Sequence, residues 1–312
     1  MPAPVETKAM IRERNDYFLS LLENPATEKR AADSASTFTR TKMREESYSD
    51  LIVPPITVTN DDLVRQYDTD LPAMIIDKEV DNPPARSVAF RTQPDNWYIE
   101  SLRYRVLFDR VLSPKFVKDI TELRTNVMDI RQVMADNAVK DMAAEKDTRW
   151  QAAFLNVLGT LDSVQPATGV VQYQTINGGM DRDGLVEGKK IMNRTPFLLE
   201  PKRALTNFVS WKEFEKWGRD EMGGDLSEKI VIDGMMEAKF LKLDWIVTIK
   251  RTLVPDSYVY HFADEKFIGK NFILEEPTLS IKRDSFMLEY FLYLEMGAAI
   301  GHAAGITGAY YP

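Results

Sequence analysis

The chain has 312 residues, 44% of them hydrophobic and 28% charged, enough for one large or two medium domains with a sizeable core. It contains no cysteine and only two histidines, which excludes disulfides, thiolate metal sites and a cysteine nucleophile and leaves little for zinc or histidine-centred catalysis. The formal net charge of -8 argues against a dedicated nucleic-acid reader, because phosphate neutralisation needs clustered Lys and Arg.

From Val5 to Glu23, the spacing of Met10, Ile11, Phe18, Leu21 and Leu22 predicts a short amphipathic helix that ends at Asn24 and Pro25. Lys8, Arg12, Glu13 and Asp16 interrupt any signal-peptide apolar run, so synthesis and folding are expected in the cytosol. Between Pro25 and Asp50 the large apolar side chains are Phe38, Met43 and Tyr48 alone. Such a segment cannot offset the roughly 1–2 kcal/mol per residue of backbone ordering entropy by its own burial. Order there requires another surface.

Residues 51–98 carry β punctuation: Pro54-Pro55 and Asp81-Asn82-Pro83-Pro84 flank short runs at Ala73–Ile76 and Ser87–Phe90. The pattern predicts a projecting hairpin with its tip between Asp77 and Arg86. A two-stranded ribbon poor in core residues is marginal alone and needs a partner. Leu102, Tyr104, Val106 and Phe108 then alternate with Arg103, Arg105 and Asp109, as in a half-buried strand.

Ser113 and Pro114 offer a cap and a first helical position, and Phe116, Ile120, Leu123, Val127, Ile130 and Met134 follow as one apolar stripe. The stripe weakens around Lys146 to Thr148 and resumes at Trp150, Phe154 and Leu158 before Gly159, which predicts one very long helix or two in series. A glycine-rich passage over 161–198 leads to a second compact region. There Ser210 and Glu213 match a capping box ahead of Trp211, Phe214 and Trp217, and Gly223-Gly224 terminates that helix. Another helix is expected from Asp225 or Ser227 to about Gly234, then strands at Trp245–Ile249 and Tyr258–Phe262 joined through Pro255-Asp256. Leu279, Ile281, Phe286, Leu288, Tyr290, Leu292 and Leu294 mark long strands returning beneath the long helix. Met296–Pro312 is uncharged but rich in Gly and Ala, short of the ~20 strongly apolar residues that would span a bilayer.

No chemical motif survives inspection. Asp181-Arg182-Asp183-Gly184 lacks the calcium-loop ligands at Leu185 and Met192, and Gly179–Gly184 has phosphate-loop spacing but Leu185 in place of lysine. Asp61-Asp62 and Asp68/Asp70 read as solvated acids, and Asn193-Arg194-Thr195 is a glycosylation triplet without a secretory route. No catalytic, cofactor-binding or metal residue is assigned.

The order of parts resembles the major capsid proteins of tailed bacteriophages, the Hong Kong 97-like fold. The resemblance rests on Tyr104-Arg105-Val106 through Ser113-Pro114-Lys115-Phe116, on Val254-Pro255 through Phe267-Ile268-Gly269, and on Glu295-Met296-Gly297-Ala298-Ala299-Ile300-Gly301. It covers the chain in layout and degenerate phrases, without an invariant motif. It implies an α+β fold with an N-terminal arm (1–50), an E-loop and its flanking strands (51–98), and a peripheral domain with a spine helix (99–163). An axial α/β domain (164–275) and a segment returning to the peripheral domain (276–312) complete the layout.

The implied protein is structural and not an enzyme. It forms hexamers and pentamers of an icosahedral head around double-stranded DNA, is assembled in the host cytoplasm and resides in the virion. Implied partners are a scaffolding protein, a portal and a decoration protein, with packaged DNA contacted non-specifically and neither membrane nor cofactor. Because the chain begins at Met1 without a long helical prefix, scaffolding is expected as a separate protein. One branch of the family crosslinks through an E-loop lysine. Lys78 is the sole lysine of 57–97, yet no motif identifies its partner, so it reads as an ordinary tip lysine. Phe18, Leu22, Phe38, Lys78 and Arg86 are the expected assembly contacts. Two alternatives stay open: an encapsulin-like nanocompartment shell, and an acidic cytosolic enzyme using carboxylates near Asp181 and Asp183.

Overall fold

The computed structural model describes residues 8–23, 27, 32, 47–64, 71–79, 87, 101–120, 130–217, 239–284 and 286–312. A helix over Lys8–Glu23 and a short one over Tyr48–Ile52 precede β1 (Pro55–Thr57). A ribbon of β2 (Ala73–Glu79) and β3 (Ser101–Leu107) leads to β4 (Asp109–Leu112), β5 (Phe116–Asp119) and the long helix Ile130–Leu158. Then come β6 (Val164–Gln165), β7 (Val170–Val171), β8 (Tyr173–Thr175), the helix Arg182–Asn193, β9 (Arg203–Asn207) and a helical turn over Phe208–Trp211. The chain continues with β10 (Lys239–Phe240), β11 (Leu243–Thr248), β12 (Tyr258–Phe262), β13 (Gly269–Asp284), β14 (Met287–Ile300) and β15 (Ile306–Tyr310).

β13 and β14 form a long antiparallel hairpin at the centre of a five-stranded sheet, with β1 parallel to β13 and both β4 and β5 on the far edge of β14. The alternation along β14 puts Leu288, Tyr290, Leu292, Leu294 and Met296 on one buried face. Against it pack Val139 and Met142 of the long helix and Phe18 and Leu19 of the N-terminal helix, so the returning strands lie beneath the long helix as the alternation predicts. Two register shifts interrupt the pairing of β13, one between Ile273 and Glu275 and one between Glu275 and Thr278. Gly297 lies where β14 passes β3, and a Cβ there would stand 3.0 Å from the Leu107 carbonyl.

Ser113-Pro114 does not open the long helix. Phe116–Asp119 is a strand, because the free edge of β14 takes up its backbone and the Phe116 ring stacks on Tyr290 at 5.2 Å. Proline has no N–H for a ladder and sits between β4 and β5. The Ser113 hydroxyl fills the gap instead, accepting from the Leu292 N–H at 2.8 Å while the Ser113 N–H donates to the Leu292 carbonyl. Residues 121–129 of the expected stripe lie outside the described residues. The long helix runs without a break through Lys146–Thr148 and ends at Gly159, whose φ of +74 and N–H to the Leu155 carbonyl (2.9 Å) close its last turn.

The second sheet has six strands in the order β10-β11-β9-β12-β15-β8. On one face it receives Trp150, Phe154 and Leu158 of the long helix, with Phe154 edge-on to Tyr260 (5.1 Å) and Phe262 (5.6 Å). On the other lie the helix Arg182–Asn193 and an aromatic cluster of Trp211, Phe214 and Trp245. The strands at Trp245 and Tyr258 exist but are not neighbours, since β9 inserts between them. Asn207, not Ser210, caps the helical turn, and the Ser210 hydroxyl instead accepts from the Ser257 N–H at 2.8 Å. Gly223-Gly224 and the helix expected near 225–234 lie outside the described residues. The return to the five-stranded sheet is not final, because residues 306–310 cross back to pair between β12 and β8.

Leu292 is fully buried at the centre of β14, so Leu292→Ala is expected to lower unfolding stability by about 2–5 kcal/mol in denaturant titration. Phe286, 74% exposed beside the hairpin turn, should tolerate alanine within about 0.5 kcal/mol.

Candidate assembly interface

The N-terminal helix docks on its own chain. Phe18 is 3% exposed in a cluster with Val139, Leu279 and Leu292, which commits its ring to the core and corrects its reading as an intersubunit contact. Among the described side chains of this helix, Met10 (55% exposed) and Tyr17 (65%) are apolar groups presented outward. Leu22 belongs to the same helix, while Phe38 and Arg86 lie outside the described residues. Lys78 is no tip residue: it is paired with Leu102, and the ladder continues to Glu79 and Ser101. The connection therefore lies within 80–100, and Ala73–Glu79 pairs with β3; residues 88–90 of the expected run lie outside the described residues.

Behind the ribbon, the segment 47–53 is strapped to the long helix by a buried carboxylate. Asp147 has no solvent exposure and accepts from the Ser47 hydroxyl (2.8 Å), the Tyr48 N–H (3.3 Å), the Ser49 N–H (3.1 Å) and Lys250 Nζ (2.6 Å). The residue just before it, Lys146, 2% exposed, is paired with Asp50. Gln151 accepts from the Tyr48 hydroxyl (3.1 Å) and donates to the Leu253 carbonyl, and Arg203 donates to the Ile52 carbonyl. Burial, with Asp147 as the second cause, pushes the Tyr48 phenol up, which keeps it a donor. A buried charge is tolerable only when paired and hydrogen-bonded, and here each lone pair has work. The strap thus fixes where the chain enters β1 and, through β1, how it leads toward the ribbon.

This latch escaped the reading of the sequence although its trace was visible. Val139, Met142, Ala143, Lys146 and Trp150 are all buried at helical spacing, so the weakened stripe at Lys146 marks a charge on the inward face, not a break in the helix. A buried lysine implies a carboxylate partner, and Asp50, in the segment judged unable to fold alone, supplies it.

The ribbon has two unlike faces. Met74, Ile76, Tyr104 and Val106 share one, by the pairs Met74↔Val106 and Ile76↔Tyr104. Ile75, Asp77, Arg103, Arg105 and Leu107 share the other, a mixed face with an exposed Arg103–Asp77 ion pair at 3.1 Å. At its base the apolar face rests on Val58, Phe108 and Phe272, and Val106 is 4% exposed. Two residues farther out Tyr104 is 46% exposed. The apolar face outruns the body that covers it.

Two of the acidic groups named in the sequence, Asp181 and Asp62, have local roles, while Asp68 and Asp70 lie outside the described residues. Asp181 caps the helix Arg182–Asn193 by accepting from the Gly184 N–H at 2.6 Å. Asp62 accepts from the Thr59 N–H and hydroxyl, and these bonds hold its carboxyl below the usual range. Among the described residues no group of three or more metal-ligating side chains converges, and no helix is long and apolar enough to cross a membrane.

No family model and no curated protein matches the sequence. Solved structures do match. The mature capsid of bacteriophage PhiM1 has a TM-score of 0.56 at 10% identity, covering 82% of this chain and 84% of that one. The capsid of cyanophage P-SCSP1u has a TM-score of 0.56 at 8% identity, covering 86% and 88%. A virus-like particle from Pyrococcus furiosus has a TM-score of 0.53 at 10% identity, covering 89% and 98%. At such identities the likeness is one of fold, and the fold is the Hong Kong 97-like capsid fold that the sequence resembles.

Asp147→Ala leaves Lys250 and the donors of Ser47, Tyr48 and Ser49 without their acceptor. It should cost about 3–5 kcal/mol of stability and speed hydrogen exchange at the Tyr48 and Ser49 amides.

Proposed function

We propose that this chain, built on the Hong Kong 97-like capsid fold, is a shell subunit whose ribbon lies across a neighbouring copy. The apolar ribbon face that emerges uncovered between Val106 and Tyr104 carries this reading. Half-exposed aromatic surface on a thin two-stranded element is costly to leave in water, and obligate subunit contacts of ~2,000–5,000 Å² gather such surface into one interface. The helix Lys8–Glu23 contributes Phe18 and Leu19 to the core of its own subunit, so removal of residues 1–40 weakens the body as well as the assembly.

In this reading hexamers and pentamers close an icosahedral phage head around double-stranded DNA. The head assembles in the host cytoplasm with a scaffolding protein and a portal, and a decoration protein can join the outer surface. The net charge of -8 suits a wall that touches packaged DNA without holding it. The likeness to the Pyrococcus furiosus virus-like particle favours a second reading, an encapsulin-like compartment. Particle contents separate the two: a protein cargo identified by mass spectrometry marks the compartment, and dependence of regular particles on a scaffolding protein marks the phage head.

Tyr104→Asp places a charge on the uncovered face at a position 46% exposed, where folding tolerates it. The expected outcome, by sedimentation and electron microscopy, is a folded subunit that no longer forms regular particles. Regular particles from this variant, at wild-type yield, would overturn the ribbon assignment.

A further inference from the structure

His261 sits in the middle of β12 on the face that carries the helix Arg182–Asn193, with Ala204 of β9 and Thr307 of β15 as its cross-strand neighbours. Its exposure is 0%, and neither ring nitrogen has a hydrogen-bond partner; the Thr307 hydroxyl beside it is buried and unpartnered too. The helix comes close because residue 188 is glycine. A Cβ there would collide with the Tyr311 hydroxyl and stand 3.1 Å from His261 Cε1. The next residue, Lys189, is the cation acting on the imidazole, and it is held in place by donating to the Leu241 carbonyl at 2.5 Å. Leu241 and Lys242 form a turn with φ of +55 and +62, so this anchor is itself constrained. Lys242 and Glu200 are the charged groups that act on Lys189 in turn. From the C-terminal segment, Tyr311 faces the same spot, its hydroxyl donating to the Gly184 carbonyl at 3.2 Å.

We propose that His261 makes the seat of the helix Arg182–Asn193 on the six-stranded sheet an acid-released joint, in which a proton on the buried imidazole parts helix from sheet. The added charge has no carboxylate to pair with at this spot: neither ring nitrogen is hydrogen-bonded, the hydroxyl beside it is neutral, and the charge acting on it is the immobilised ammonium group of Lys189. Separation of the helix lets water reach both nitrogens, and the opposite face of the sheet keeps its packing on Trp150, Phe154 and Leu158.

The direction with pH follows from linkage. Burial, with Lys189 second, pushes the His261 pKa from 6.5 down to about 3. Between those values the opened state binds a proton that the closed state cannot, so closure weakens as pH falls, by about tenfold per pH unit. This inference is independent of shell formation.

The test is an acid titration of the full chain, read by tryptophan fluorescence from Trp211 and Trp245, which share the helix-side cluster, and by hydrogen exchange of 182–193 against 288–296. In the wild type the helix-side signals should change at higher pH than protection of β14 is lost. His261→Leu and His261→Gln should each move that first transition down by about 1 pH unit or more. An unshifted transition in either folded variant overturns the proposal. If both variants fail to fold, the wild type still decides: the chain has two histidines, so two imidazole resonances are assignable by NMR. Titration of His261 should coincide with helix release, and a titration near its ordinary value with the helix still protected would overturn the joint.

Discussion

A single carboxylate, that of Asp147, sets how the segment 47–53 lies on the long helix and hence where the chain enters β1. It lies within the long helix, is shielded from water, and is satisfied by two backbone N–H groups, a hydroxyl and a lysine from two other parts of the chain. Such a group has few tolerable arrangements, because moving any donor away leaves a charge in a medium that solvates it poorly. Apolar packing alone would allow the 47–53 strap to slide along the helix. The ionic cradle, reinforced by Lys146 on Asp50, fixes one register.

That constraint matters because the strap stands between two kinds of structure. Behind it are the two sheets and the long helix that bridges them, each with its own buried cluster. Ahead of it lies β1, and beyond β1 the ribbon, whose support fades within a few residues of its base. A thin element can be aimed only if its root is rigid. The root here consists of β1 laid parallel on β13 and the strap pinned to the helix.

What the sequence revealed divides along physical lines. The run of apolar residues at every second position over 286–294 and the apolar stripe ending at Leu158 were legible, because a long element repeats its signal many times. Short elements were not. Ser113-Pro114 reads equally as helix start or strand break, and only the vacant edge of β14 decides between them. Strand 203–207 was missed because Arg203-Ala204-Leu205-Thr206-Asn207 carries one large apolar side chain, its small residues being required by the helix packed above. The latch was hidden for another reason: charged residues on a core face look like an interruption until their partners, about a hundred positions away in sequence, are known.

The placement of β15 has a bearing on how the molecule is made. Residues 306–310 are an interior strand of the six-stranded sheet, flanked by β12 and β8. Until they emerge from the ribosome, both neighbours display unpaired edges of the kind that invite pairing with foreign strands. Folding of this half must wait for translation to reach residues 306–310, and its long-range pairings make it slow. A chain that stopped before residue 306 would be a strand acceptor rather than a closed sheet.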